Sequence, residues 1–183
     1  MRAYVEGIRD IVSGGPVGDS QIKNLIDLTT ESLPDFSAGN LCSIVSEPGR
    51  YLCYKDQDHG FVVMLMAWGP GDETPIHDHG TWGVEAILTN ELLVTSYSES
   101  EIDPQPLTSR ILKAGQVMYN IPPDRDVHRV SNPCDTMTIS MHLYGKEMSN
   151  NRQFIPGKGY VPCALKTNCL EMPREFGLSD LAG

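Results

Sequence analysis

Two of the five histidines in this chain stand two positions apart, in the stretch Pro75-Ile76-His77-Asp78-His79-Gly80-Thr81-Trp82-Gly83. On a β-strand, side chains at i and i+2 share one face. Both imidazoles then point into the same space, which is how a strand offers two nitrogen ligands to one metal. A third histidine, His128, follows a Pro-rich turn later in the chain. Imidazole is the commonest side-chain ligand of transition metals. Three neutral imidazoles leave adjacent positions open on an octahedral metal and leave its 2+ charge intact, which suits an anionic ligand such as a thiolate. His59 lies in a Lys-Asp-Gln-Asp-His-Gly turn and reads as solvated, not as a ligand.

A second group of chemical residues follows His128. In Ile139-Ser140-Met141-His142-Leu143-Tyr144-Gly145, strand alternation puts Ser140, His142 and Tyr144 on one face and Met141 and Leu143 on the other. An ordinary half-exposed strand gives the same alternation. The functional reading is a hydrogen-bond relay from Ser to His to Tyr, placing a phenol beside the metal. A phenol there can donate to bound dioxygen or steer a substrate.

The two histidine segments resemble the half-motifs of the cupin superfamily. Gly71 stands six residues before His77, giving Gly-x5-His-x-His, and the second segment opens at Gly115 and ends His128-x3-Asn132. Many cupins add a glutamate ligand four or five residues after the second histidine. Here those places are Gly83 and Val84, and Glu85 comes one place late, so the expected donor set is three histidines. Together, Pro-Ile-His-Asp-His, Trp-Gly, His-Arg-Val-x-Asn and Ser-x-His-x-Tyr resemble the thiol dioxygenases, meaning cysteine dioxygenase and its bacterial relative 3-mercaptopropionate dioxygenase. The resemblance covers about residues 41–155. It implies a mononuclear non-haem Fe(II) enzyme that adds both atoms of dioxygen to a thiol sulfur. It further implies that His77, His79 and His128 hold the iron and that Ser140, His142 and Tyr144 form the supporting triad.

Two departures from the animal cysteine dioxygenases stand out. Those enzymes place a cysteine seven residues after the first ligand histidine, where it crosslinks to the active-site tyrosine. That position is Val84 here, so no crosslink to Tyr144 is expected. They also hold the substrate carboxylate with an arginine on an early strand, which by spacing falls near Tyr51, next to Arg50. The mercaptopropionate type resembles one another in an arginine shortly after the tyrosine, and Arg152 stands eight residues after Tyr144. Arg152 is thus the first candidate for the carboxylate clamp, with Arg50 second and Arg129 third. A planar guanidinium grips a carboxylate through two hydrogen bonds. Trp82, paired with Gly83, is added as a substrate-side residue.

The elements that must position these side chains follow from periodicity. Tyr4, Val5, Ile8, Ile11 and Val12 recur at helical spacing over 2–12, and Gly14-Gly15-Pro16 ends that helix. Asp19 or Ser20 caps a second helix, with Ile22, Leu25, Ile26 and Thr29 on one face, ending before Pro34. From Leu41–Val45 to Thr136–Tyr144 the chain shows short apolar or alternating runs. Turn residues break them at intervals of roughly ten residues, the spacing of an all-β sandwich or barrel. Phe61–Trp68 is nearly continuous and should be a central strand. The expectation is a mostly β, cupin double-stranded β-helix (jelly-roll-like barrel) with short N-terminal helices. It forms one domain over 1–183: a helical layer at 1–38, the barrel at 41–155 and an irregular tail at 156–183.

Composition sets the bounds. At 183 residues, 40% hydrophobic and 21% charged, the chain can bury a core of its own. A net charge of −10 argues against nucleic acid and anionic membranes as partners. It does not argue against a small anion held by one buried arginine. No stretch reads as a signal peptide or membrane span. Five scattered cysteines without a Cys-x-x-Cys fit free thiols in a reduced cytoplasm, although Cys163 and Cys169 could pair.

The sequence reading is therefore an Fe(II) thiol dioxygenase acting on a small mercapto-carboxylate with dioxygen to give a sulfinate. The missing cysteine at 84 and the Trp82-Gly83 pair tilt the substrate towards 3-mercaptopropionate. L-cysteine, a cupin metalloenzyme of other chemistry and a small-ligand sensor are the alternatives, and homo-oligomerisation is left open.

Overall fold

In the computed structural model the described residues are 1–38, 41–123, 125–147, 151–163, 167–170, 172 and 178. Helices α1 (Arg2–Val12) and α2 (Asp19–Ala38) precede a single 3₁₀ turn at Leu41–Ile44. Twelve strands follow among the described residues. They are β1 (Gly49–Lys55), β2 (Val62–Trp68), β3 (His77–Asp78), β4 (Gly83–Ile87), β5 (Glu91–Tyr97) and β6 (Pro106–Lys113), then β7 (Val117–Asn120), β8 (His128–Ser131), β9 (Thr138–Tyr144), β10 (Arg152–Ile155), β11 (Gly159–Pro162) and β12 (Asn168–Cys169). They form two six-stranded sheets ordered β12-β1-β2-β9-β4-β7 and β11-β10-β3-β8-β5-β6. Every pairing is antiparallel except β1 with β12. The fold is the mostly β cupin barrel expected, with two helices at its N-terminus.

The continuous apolar run of β2 has a structural reason. Its even-numbered residues Val62, Met64, Met66 and Trp68 face the barrel interior, where they pack with Leu92, Val94 and Val130. Its odd-numbered residues Val63, Leu65 and Ala67 face outward into a second core with the helices. A strand buried on both faces loses the polar half of the alternation. Strand β9 does the same with a different inner set. Met141 and Leu143 join the helical core, while Ser140, His142 and Tyr144 turn inward as the alternation predicts. On the helix side Ile8, Leu25 and Val5 are fully buried against that outer sheet face.

Three expectations need correction. Helix α2 does not stop before Pro34 but continues to Ala38 with the proline inside it. Proline removes one backbone donor and crowds the preceding turn. The last turn is held nonetheless by Phe36, which is buried and meets the Tyr4 ring edge-on at 5.1 Å. Burial of a phenylalanine contributes about 1.5–3 kcal/mol, comparable to the cost of the proline. Leu41–Ile44 is a 3₁₀ turn and not a strand. The tail is not irregular throughout. β10 and β11 form a hairpin around Gly157 (φ +79°) and Gly159 (φ +73°), and β12 pairs in parallel with β1.

Candidate metal centre and its cavity

The three sequence-predicted histidines come together from the second sheet. His77 on β3 pairs directly with His128 on β8, and His79 follows just beyond the end of β3. One potential ligand nitrogen from each lies within 4.8 Å of the other two, and all three residues are buried. Their rings are mutually edge-on at 4.7 to 4.9 Å between centroids. Each ring is held from behind or by its neighbours. His77 Nδ1 lies 3.0 Å from the Pro75 carbonyl oxygen. His79 Nδ1 lies 2.9 Å from Asp126 Oδ1, which also accepts the His79 backbone N–H, while Asp126 Oδ2 accepts that of Gly80. With Nδ1 engaged as a donor, Nε2 keeps its lone pair free for a metal.

The protonation states fit the same purpose. Burial, with His128 and His79 alongside, pushes His77 well below the ordinary imidazole value. Burial and the His79 charge bring His128 down to about 4. Burial pushes the Asp126 carboxyl up, but its bonds and charge interaction with His79 outweigh that and hold it below the usual carboxylate range. The result is a cluster of three convergent nitrogen donors, of which His77 and His128 are held neutral near neutral pH. Such a donor set fits a non-haem transition metal.

The relay residues come from the first sheet and close the other side of the cavity. Trp68 Nε1 donates to Ser140 Oγ at 2.8 Å. Ser140 Oγ lies 2.7 Å from His142 Nε2, and His142 Nδ1 lies 2.9 Å from Tyr144 Oη. Tyr144 donates over 3.4 Å to Glu85 Oε1. Indole is donor-only and a carboxylate acceptor-only. The chain thus has a direction, from Trp68 through Ser140 and Nδ1-protonated His142 to the phenol. The Tyr144 ring stacks on His79 at 5.2 Å, so the phenol stands beside the metal nitrogens. Burial and the Glu85 charge push its hydroxyl well above its ordinary value, keeping it protonated.

Room for that ring comes from Gly83, which pairs with Tyr144 across β4 and β9. A Cβ at Gly83 would lie 2.8 Å from Tyr144 Cδ1 and 2.5 Å from Asn120 Oδ1. Val84, the position compared with the crosslinking cysteine, points away into the helical core. The residue that faces the tyrosine is Gly83, and neither is a cysteine.

The arginine candidates separate by face. Arg152 is not in the cavity. Its Nε reaches Asp78 Oδ2 at 2.8 Å, its backbone N–H reaches Asp78 Oδ1, and its NH1 reaches Glu101 at 3.3 Å. Hydrogen bonding to Asp78 raises its already high pKa further. Asp78 points outward between the two inward histidines, and Arg152 sits opposite it across β3 and β10. Arg129 ion-pairs with Glu73 at the surface. Arg50 does line the cavity, together with the three histidines, His142 and Tyr144. Burial lowers its pKa, partly offset by Tyr144. Among the described residues its guanidinium takes no hydrogen bond or ion pair. Arg50, Met66, Trp68 and Thr74 also line an outer cleft, so Arg50 stands between the cavity and the outside. Trp82 lies outside the cavity, packed over Gly145, whose N–H donates to the Trp82 carbonyl. His59 is exposed, as expected.

Sequence reading missed four contributors. Asp126 and Trp68 gave no motif, and Asn151 lines the cavity with a side-chain oxygen that has no hydrogen-bond partner among the described residues. Glu85 was weighed only as a late ligand. Alternation from Gly83 would have placed it inward, where it is buried, 3.5 Å from His142 Nδ1, and outside the group of three mutually close nitrogens. Burial pushes its carboxyl up, but the charge and hydrogen bonding of His142, with His128 and His79, hold it far below the usual range.

Among solved structures, an oxalate oxidase is similar at 17% identity and a TM-score of 0.45, over 59% of this chain and 56% of that one, a little more than half its length. A Cupin 2 conserved barrel protein from Salinispora arenicola matches at 18% identity and TM-score 0.40, over 52% and 72%. A cupin superfamily protein from Desulfitobacterium hafniense matches at 14% and 0.42, over 58% and 88%. No helix among the described residues is long and apolar enough to cross a membrane. The family described as cysteine dioxygenase type I matches residues 48–155, from the start of β1 to the end of β10 and so including every site residue above. By that match, over more than half its length, the chain belongs to the cysteine dioxygenase type I family.

Proposed function

We propose that this protein is an iron(II)-dependent thiol dioxygenase that converts a small mercapto-carboxylate, of which 3-mercaptopropionate is the simplest, into its sulfinate. The observation that carries the reading is one cavity holding three convergent imidazoles, a directed relay ending on a buried phenol, and an arginine without a partner among the described residues. Iron(II), when bound by His77, His79 and His128, supplies the redox chemistry that joins both atoms of dioxygen to sulfur, R–S⁻ + O₂ → R–SO₂⁻.

The chain's own residues do the rest. Arg50 grips the carboxylate with two parallel hydrogen bonds and so sets the distance from the acid to the sulfur. Asp126 holds His79 in one tautomer. His142 fixes the Tyr144 hydroxyl, which remains protonated and, released from its long bond to Glu85, offers its one O–H to the bound thiol. Apolar side chains Met64, Met66 and Val130 exclude water around it.

The test is dioxygen uptake by iron-loaded protein across a panel of small mercapto acids, with the product identified by mass. A gain of two oxygen atoms on sulfur is expected. An iron-saturated sample that consumes no dioxygen with any thiol of the panel would overturn the assignment.

A further inference from the structure

Strand β6 ends the second sheet, and among the described residues nothing pairs with its far side. Seven of its eight residues are exposed. The large hydrophobic side chains left exposed among the described residues are Ile102 (86%), Leu107 (63%) and Ile111 (48%). All three lie on β6 or in the segment that leads into it. Apolar groups gathered at one place on a surface mark an interface. The backbone is open there as well. Ala114 N–H donates to the Asn90 carbonyl and so faces β5, whereas Lys113 N–H turns the other way onto Gln116 Oε1. Alternation then aims the N–H and C=O groups of Ser109 and Ile111 away from β5. Among the described residues they meet no hydrogen-bond partner. Leu107 is left over where the β5–β6 register shifts, so it stands opposite nothing on β5.

We propose that β6 pairs antiparallel with β6 of a second copy of this chain, about a two-fold axis through Ser109. The side chains select that register. It sets Ser109 opposite itself, Leu107 opposite Ile111 of the second copy, and Arg110 opposite Thr108. The exposed leucine of each copy then covers the exposed isoleucine of the other, and the outward backbone groups of Ser109 and Ile111 gain a strand to bond. An axis through Arg110 would set that cation against its own copy and leave Leu107 facing Lys113, which is destabilising. An axis through Thr108 would leave Leu107 facing Ser109 and Ile111 facing Gln105. Charge supports the same arrangement. Glu99-Ser100-Glu101-Ile102-Asp103 leads into β6 and Lys113 ends it. Antiparallel pairing lays the acidic approach of one copy beside the basic end of the other, with Lys113 opposite Gln105 and Asp103 two residues beyond. The contact closes at two copies, because each has one β6 edge and the pairing uses it. The seam lies close to the metal-binding strands: Thr108 pairs with Ser96, and Ser96 with His128.

The experiment is sedimentation velocity on the full chain at about 1–100 µM, the range for a contact of this modest size, on wild type, Leu107→Glu and Ser109→Pro. Wild type is expected to reach twice the chain's mass at the upper end. Each variant is expected to weaken association by at least about tenfold, the first by setting a carboxylate against Ile111 and the second by removing an outward N–H at the axis. Both positions are exposed, so the far-UV circular dichroism of the variants should match wild type. Ser109→Cys supplies the positive arm. Facing residues of a hydrogen-bonded antiparallel pair have Cα atoms about 5.5 Å apart, within disulfide reach. Under mild oxidation this variant should crosslink to a covalent dimer at least about tenfold more than wild type, which controls for the native cysteines. A wild-type chain that stays monomeric throughout the range overturns the proposal. So does a dimer that survives both substitutions, or one that Ser109→Cys does not crosslink, since the chain would then associate through another surface. Species larger than two copies also overturn it, because a two-fold edge contact cannot grow.

Discussion

Arg152 and Asp78 are joined at three points: backbone N–H to Oδ1, Nε to Oδ2, and NH2 to Oδ2 at 2.5 Å. Asp78 is the residue between the two strand histidines. The arginine that spacing nominated for substrate instead fastens the ligand-bearing strand to the β10–β11 hairpin from outside.

Arg152→Ala should therefore cost stability and not substrate affinity. It strips a buried carboxylate of its cation, but the Arg152 side chain is 46% exposed and water takes part of the place. A loss of about 1–2 kcal/mol is expected from the midpoint of urea unfolding. Affinity for the mercapto acid should change by less than about twofold, against the tenfold expected of a lost clamp.

Arg50→Ala should show the reverse pattern. Its guanidinium takes no hydrogen bond or ion pair from the described residues, so the fold loses little. The apparent affinity for a mercapto acid should fall at least about tenfold, and far less for the same thiol with its acid replaced by an alcohol. Equal losses for acid and alcohol would remove Arg50 from the carboxylate.

Asp126→Asn should loosen the metal. The amide can still accept through one oxygen, but the charge that favours the Nδ1–H tautomer of His79 is gone. A loss of roughly 10–100-fold in metal affinity is expected from competition with a chelator. One of the two backbone donors, His79 N–H on Oδ1 or Gly80 N–H on Oδ2, then faces the amide NH2 and loses its acceptor, so a stability loss of about 1–2 kcal/mol should accompany the weaker metal binding.

The metal-free protein should lose stability as the pH falls from about 6.5 to about 4. Buried His128 has its pKa lowered to about 4 and His77 is also lowered, while in the unfolded chain both titrate near the ordinary value. Between those limits the unfolded chain binds protons that the native state refuses, so unfolding becomes easier as acid is added. Urea midpoints at pH 7 and pH 5 measure this. His128→Gln should flatten the dependence, because the substituted side chain does not titrate.

How much was legible follows from which side of a strand a residue takes. The alternation in Ser140-Met141-His142-Leu143-Tyr144 and the His77-x-His79 spacing are local, so the chain spells out both halves of the site. The choice between Arg50 and Arg152 is not local. Distance along the chain from Tyr144 says nothing about the face, and β10 pairs with β3 in the register that puts Arg152 opposite outward Asp78. Arg50 reaches the cavity through β2, whose Met66 pairs with both Arg50 and Ser140. Val84 and Gly83 differ by one residue, and one residue reverses the face. The Pro34 stop failed because tertiary burial of Phe36 overrides a local breaker, and β12 was hidden because its pairing partner β1 lies far upstream.

Strands β2 and β9 are party walls. Val63, Leu65, Met141 and Leu143 look into the room occupied by the helices, and Met64, Met66, Ser140 and His142 look into the room where chemistry happens. Selection for a sturdier protein and selection for a different substrate therefore write on alternate letters of the same seven-residue words. A change in helix α2 that shifts Leu25 or Phe36 reaches the reactive phenol through the thickness of one backbone.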